Sequence, residues 1–310
     1  MDDFFGETEM KDYIAVVGGM NVDICGRPFR RPVLKDSNPG RVSLRAGGVG
    51  RNIAHNLRLL GQKVQLLSAV GGDEYGKLLL QSCAGIGIDT SLCLRAEEEN
   101  SSTYLYITDE HGDMELAVAD MEVTARITPA VIAARLEALN AARAVVLDAN
   151  LEAETLEYLA AHVTAPLCAD PVSTGKAPRL LGILPRLRCI KPNALEAEAL
   201  TGEPDPEAAA RALLKAGVER VFLSMGAQGM LAAEGNRLLN LPCERARVLN
   251  TTGAGDAVTA ALCWADVHGL SLEDSLRFAL RAGALTCESM EANNPALAEL
   301  SGQWAVVSDP

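Results

Sequence analysis

Short runs of consecutive apolar residues alternate along the chain with stretches whose apolar positions recur every three to four residues. The first pattern marks strands buried on both faces, and the second marks helices with one face against a core. Their alternation predicts an α/β fold: a mostly parallel central sheet covered by helices on both sides. Strands are predicted at 13–19, 63–70, 144–147, 166–170, 187–191 and 220–224. One helix is predicted after the glycines at 47–50, where Ile53, Leu57 and Leu60 share a face. Further helices are expected at 73–84, 129–141, 153–161, 206–216, 254–268 and 272–289.

Two segments break the alternation. Residues 28–46 are rich in Arg, Pro, Asn and Gly and hold only short β-like pieces. In 101–120 the alternating run Thr103-Tyr104-Leu105-Tyr106-Ile107 is followed by a turn-like stretch and then by 114–119, which predicts a hairpin. The two segments together suggest a small β appendage, or else two ordinary surface hairpins. With no internal repeat or flexible linker in view, residues 1–310 read as a single domain carrying an insertion.

Composition narrows the function. A hydrophobic fraction of 48% supplies a sizeable core, and 28 Lys+Arg against 41 Asp+Glu leave a net charge of −13. Such an acidic chain is a poor partner for nucleic acid, whose phosphates call for clustered basic residues. No apolar run approaches the ~20 residues that cross a bilayer, so no membrane role is expected. The first dozen residues lack the basic and apolar parts of a leader, which predicts a cytoplasmic protein. Eight scattered cysteines without a C-x-x-C pair read as small buried hydrophobes rather than a zinc site. A small anionic ligand stays open, because helix N-termini hold phosphate without net positive charge.

Two glycine motifs fail on inspection. Gly48-Val49-Gly50-Arg51-Asn52-Ile53 lacks the third glycine of a dinucleotide fingerprint and follows no central strand. Gly71-Gly72-Asp73-Glu74-Tyr75-Gly76-Lys77-Leu78 ends in Leu where a phosphate-binding loop needs a magnesium-binding hydroxyl.

A third motif survives. Asn250-Thr251-Thr252-Gly253-Ala254-Gly255-Asp256 opens an apolar helix. Small residues there allow a tight turn that points backbone amides at one spot, beside the positive helix end. Asp256 in that first turn suits a base toward a hydroxyl; equally, it suits an ordinary helix start after a plain turn. Asn193 and Glu196 are spaced either as a capping box or as an amide and carboxylate near hydrated magnesium and phosphate. Ser224, Gly226 and Gly229 form a strand-end loop, or a simple turn between two strands. Asn21 and Asp23 follow the first strand, where open α/β sheets bind ligands, and an Asp there can accept from two adjacent sugar hydroxyls.

These pieces, in this order, resemble the ribokinase family, also called the phosphofructokinase-B family of carbohydrate kinases. The resemblance covers residues 14–300 and rests on Asn21-Val22-Asp23, Gly47-Gly48 with Asn52, Gly71-x-Asp73-x-x-Gly76, Lys191-Pro192-Asn193-x-x-Glu196, Ser224-x-Gly226-x-x-Gly229 and Thr252-Gly253-Ala254-Gly255-Asp256. It implies a three-layer α/β/α domain with a small β lid formed by 26–46 and 101–119. It also implies an ATP-dependent kinase in which Asp256 is the base and Gly253, Ala254 and Gly255 the anion hole. Asn21, Asp23, Gly47, Gly48 and Asn52 would then hold a nucleoside or sugar. Asn193, Ser224, Gly226, Gly229, Thr252, Gly253 and Gly255 would line the ATP site, with Mg²⁺ held through water by Glu196 and Asn193. The family usually carries Asp where this chain has Asn250, which puts activation by K⁺ in doubt. Lid pairing between subunits would make a homodimer. Within the family, residues 37–41 leading into 47–54, together with 102–104 and 117–121, resemble the branch that phosphorylates pseudouridine at its 5′-hydroxyl. The alternatives are another sugar or nucleoside kinase, or a catalytically silent binding member.

Overall fold

The computed structural model describes residues 12–305. Residues 1–11, most of the segment read above for a leader, lie outside it. The chain begins with β1 (Ile14–Val17), β2 (Asn21–Pro28), β3 (Gly40–Gly47), α1 (Val49–Leu59), β4 (Val64–Leu67), β5 (Ala69–Gly71) and α2 (Glu74–Gly85). It continues through β6 (Leu94–Ala96), β7 (Thr103–Thr108), β8 (Met114–Asp120), α3 (Pro129–Ala133), α4 (Leu136–Ala141), β9 (Val145–Asp148), α5 (Ala153–His162) and β10 (Leu167–Asp170). The last third holds β11 (Leu187–Ile190), α6 (Ala194–Thr201), α7 (Pro206–Lys215), β12 (Arg220–Ser224), β13 (Met230–Glu234), β14 (Arg237–Leu241), α8 (Ala254–Val267), α9 (Leu272–Cys287) and α10 (Leu297–Ala305).

Eight strands form the main sheet in the order β14-β13-β12-β11-β10-β9-β1-β4. The strands from β12 to β4 run parallel, and β13 and β14 add an antiparallel edge. Strand alternation divides the core in two. Ala15 and Val17 of β1 join Leu147, Leu159, Leu180 and Leu213 on one face. Ile14 and Val16 join Ile53, Leu57, Phe222, Trp264 and Phe278 on the other. Helices α5 and α7 cover the first face, while α1, α8 and α9 cover the second, which makes the three-layer α/β/α sandwich. Helix starts are fixed locally: Asp205 caps α7 ahead of Pro206, and Ser271 caps α9.

A second sheet, β3-β2-β7-β8, stands apart from the first. Its register aligns Asp23 with Arg45 and Tyr104, and Ile24 with Leu44 and Leu105. One face is therefore polar and aromatic. The other carries Val42, Leu44, Leu105, Leu116 and Val118, all exposed. Arg45 reaches back to the main domain through an ion pair with Glu291 at 2.8 Å.

Several elements differ from expectation. Residues 21–28 form a strand of the second sheet instead of a loop after the first. The strand predicted at 63–70 breaks at buried Ser68, and β5 leaves the main sheet to pair with β6. The helix predicted at 129–141 divides at Ala134–Arg135, where the Arg135 guanidinium is drawn to the carbonyls of Leu92 and Val131. The edge strand β14, helix α10 and a 3-10 segment at Ala177–Arg186 were not anticipated.

Phe278 is fully buried, and its ring centroid lies 4.6 Å from that of Trp264. Phe278→Ala is expected to cost about 3–5 kcal/mol through the cavity it leaves. Leu195→Ala, at an exposed position, should change stability by no more than about 0.5 kcal/mol. Urea unfolding of both variants measures the contrast.

Candidate active site

The carboxyl ends of the parallel strands converge on one edge of the main sheet. Asp148 ends β9, Asp170 ends β10, Lys191 follows β11 and Ser224 ends β12. Over that edge lies the N-terminus of α8, with Asp256 in its first turn. Gly253 caps this helix with a φ of 81°, a left-handed conformation, and a Cβ there would run into the backbone of Ala292. At Gly255 a Cβ would meet a single neighbour, the Lys191 ammonium, 3.1 Å away. In the first turn of a helix the amides have no carbonyl partner one turn back. In the turn of Thr252, Gly253, Ala254 and Gly255, the Thr252 amide bonds Asn250 Oδ1 and the Ala254 amide bonds the Thr251 carbonyl, so the Gly253 and Gly255 amides are the donors left for an anion.

Asn52 of α1 donates its Nδ2–H to Asp256 Oδ2 at 2.9 Å. Burial pushes the Asp256 carboxyl up to about 7, and Asp170 adds to the rise, while the Asn52 amide and Lys191 oppose it. A carboxylate so poised takes a proton near neutral pH. Lys191 Nζ lies 3.1 Å from Asp170 Oδ2, with both side chains almost wholly buried. Burial alone would lower the Lys191 ammonium; Asp170, Glu196 and Asp256 hold it above its ordinary value instead. Asp148 is raised by burial to about 6, although the Gly19 and Asn150 amides donate to it.

On the side of the second sheet, Asn21 donates to Asp23 Oδ1 at 2.7 Å, and Gly47 pairs with Asn21 across the strands. Gly48 starts α1, which carries Asn52. Burial raises the Asp23 carboxyl, against the pull of Asn21, Arg51 and Arg45. Asn21, Asp23, Gly47, Gly48 and Asn52 are thus gathered together, and Asn52 links them to Asp256.

Toward β12, Asn193 and Glu196 make the reciprocal capping box, with bonds of 2.9 and 2.8 Å. Asn193 also bridges to Ser224. Gly226 and Gly229 form the turn that joins β12 to β13. Both simple readings of these motifs are therefore correct locally, and both motifs still face the edge where Lys191 and Asp256 lie. Asn250 accepts from the Thr252 amide at 3.0 Å and donates to the Met290 carbonyl at 3.3 Å. Asp148, Asp170, Thr259 and Asn293, which bonds Asn52 and Asn56, were missed as site residues. An acidic residue closing an apolar strand was the available signal for the first two.

The model of the pfkB family of carbohydrate kinases matches residues 11–299. The chain is 38% identical over 299 residues to a pseudouridine kinase of Escherichia coli, covering 93% of this chain and 94% of that protein. A solved carbohydrate kinase from Agrobacterium tumefaciens superposes with a TM-score of 0.83 at 30% identity, over 94% and 97% of the two chains. A ribokinase of Arabidopsis thaliana, solved with ribose and ATP, shares the fold at a TM-score of 0.82 and 24% identity, over 94% and 99%.

The two anion-cradle glycines should separate in a stability measurement. Gly253→Ala meets backbone in a left-handed conformation and is expected to cost at least about 2 kcal/mol. Gly255→Ala meets only the end of a flexible lysine and is expected to cost less than about 1 kcal/mol. Urea titration of the two proteins checks the order.

Proposed function

Because the chain belongs to the pfkB family of carbohydrate kinases, phosphotransferases that use an alcohol acceptor, we propose that it transfers the γ-phosphoryl of ATP to the 5′-hydroxyl of pseudouridine. The observation that carries the reading is Asp256, raised toward neutrality, hydrogen-bonded to Asn52 and set in the first turn of α8. Asn21 and Asp23 hold the ribose 2′- and 3′-hydroxyls, which turns the 5′-hydroxyl toward Asp256. The carboxylate accepts the hydroxyl proton as the oxygen bonds to the γ-phosphorus. The bond from phosphorus to the bridging oxygen breaks, and ADP leaves. Amides of Gly253 and Gly255, on either side of Ala254, receive the charge that builds on the phosphoryl oxygens, donors fixed in advance where that charge appears. Segments 26–46 and 101–119 act as the lid. Tyr104 and Tyr106, with ring centroids 5.7 Å apart, lie on its polar face and offer a surface for the base.

Nucleotide binding falls to Asn193, Ser224, Thr252, Gly226 and Gly229. One carboxylate, Glu196, with the neighbouring Asn193 amide fits Mg²⁺, which keeps several waters and takes its other ligands from phosphates. Bound there, it would neutralise phosphate charge. At Asn250 a neutral amide, whose N–H faces the Met290 carbonyl, stands where the family usually has a carboxylate, which weakens the case for a K⁺ site there. Eight free cysteines suit a reducing compartment such as the cytoplasm.

The apolar face of the second sheet fits a second copy of the chain, since one two-fold axis would cover both faces at once. Sedimentation at micromolar concentration is expected to give a dimer, and Leu116→Arg a monomer with unchanged melting.

The substrate is tested by ADP release with pseudouridine, uridine, adenosine, ribose and fructose. Pseudouridine is expected to exceed uridine and ribose in kcat/KM by at least about tenfold, because a site that bonds a polar group penalises the analogue lacking it. Asp256→Asn should lower kcat by about 10²–10⁴ with little change in KM. Faster turnover of ribose, adenosine or fructose would overturn the substrate, and a kcat above about a tenth of the parent would overturn the base.

A further inference from the structure

The charges around Asp256 form a buried set that the transfer reaction does not by itself explain. Thr259, one turn beyond Asp256 on α8, donates its hydroxyl to Asp170 Oδ2 at 2.6 Å. The same oxygen lies 3.1 Å from Lys191 Nζ. Lys191 in turn sits 3.1 Å from the point where a Cβ on Gly255 would stand. The ammonium therefore lies directly against the backbone of that turn, and a methyl at 255 would need it to give by a few tenths of an ångström. A buried ion pair contributes little net stability once desolvation is counted. Something other than folding energy has to account for one at the carboxyl edge of the sheet.

We propose that Asp170 and Lys191 are positioning residues for Asp256: Asp170, pinned by Thr259, holds the Lys191 ammonium beneath the turn of Gly253–Gly255, beside the carboxylate and the phosphoryl path. This rests on the reading of Asp256 as the base. The two members act on Asp256 with opposite sign, because a nearby carboxylate disfavours its ionised form and a nearby ammonium favours it. The other groups facing Asp256 are the Asn52 amide from α1 and Asp148 from β9. Glu196 of α6 faces Lys191, and Lys176 faces Asp148. From α9, Arg277 pairs with Glu273 and Arg281 with Glu244, all at the surface. Asp170 and Lys191 are thus the opposed pair whose placement a single side chain, Thr259, secures from the helix that carries the base.

The signs make the test sharp. The ¹³C carboxyl resonance of Asp256, identified by its loss in Asp256→Asn, is followed against pH in the free protein, and kcat is followed against pH with the fastest substrate of the panel. Asp170→Asn should move the midpoint of both curves to lower pH by at least about half a unit, and Lys191→Met should move it to higher pH by a similar amount. The double variant should return it toward the parent, since the two opposed charges are removed together. Thr259→Val should lower kcat several-fold, and Thr259→Ser should restore it. Midpoints that stay put, or that move the same way in both single variants, overturn the proposal; so does a Thr259→Ser protein no more active than Thr259→Val. Should Lys191→Met not fold, the shift in Asp170→Asn and the Thr259 pair still decide it. An Asp256→Asn enzyme that keeps its activity sinks the base assignment instead, while the resonance midpoints report on the charge pair independently.

Discussion

One ammonium group, that of Lys191, faces three carboxylates at the carboxyl edge of the main sheet. Asp170, Glu196 and Asp256 each reach it from a different element: the end of β10, the start of α6 and the start of α8. Parallel strands bring this about, because every strand end and every following helix start falls on the same edge. Acidic side chains collect where helix N-termini are positive, and the lysine completes a balance the helices begin. Without the cation, the Asp170 carboxylate would act on Asp256 unopposed and disfavour its ionised form. With it, burial still pushes the Asp256 carboxyl up to about 7, and the Asn52 amide and Lys191 hold it from rising further.

Much of the main sheet was legible because parallel strands are buried on both faces and appear as plain apolar runs. Val145–Asp148 and Leu167–Asp170 are buried throughout. Strand β2 was hidden because it belongs to a half-exposed sheet, and Asn21 and Asp23 read as a loop after the first strand. Helices α3 and α4 merged in the sequence, since nothing in apolar spacing reveals that a guanidinium at 135 will bond to a distant carbonyl. The edge strand β14 is half exposed and packs against a single neighbour, β13.

The site shows the same division. Asp256 stood out because glycines flank it and a helix follows. Asp170 and Asp148 did not, since their meaning depends on which strands lie side by side, and adjacency is set by topology. For Asn193 and Glu196 local and functional readings predict the same geometry, so spacing cannot separate them. The second sheet is a case where parity decides everything: a shift of one residue would place Tyr104 and Asp23 on the face now held by Leu105 and Ile24.

On the reading of Asp256 as the base, it enters the reaction with one of its two oxygens already engaged, because Oδ2 accepts the Asn52 amide. A carboxylate free at both ends would accept a proton from hydroxyls arriving along several lines. Among the described residues no side chain bonds Asp256 Oδ1, and the amide on Oδ2 fixes the plane in which the Oδ1 lone pairs lie. The restriction would be one of regiochemistry: among several hydroxyls of similar acidity on a sugar, the one reaching Oδ1 would be activated. A hydroxyl one carbon away would meet the oxygen where the Asn52 amide already takes up one of the two lone pairs.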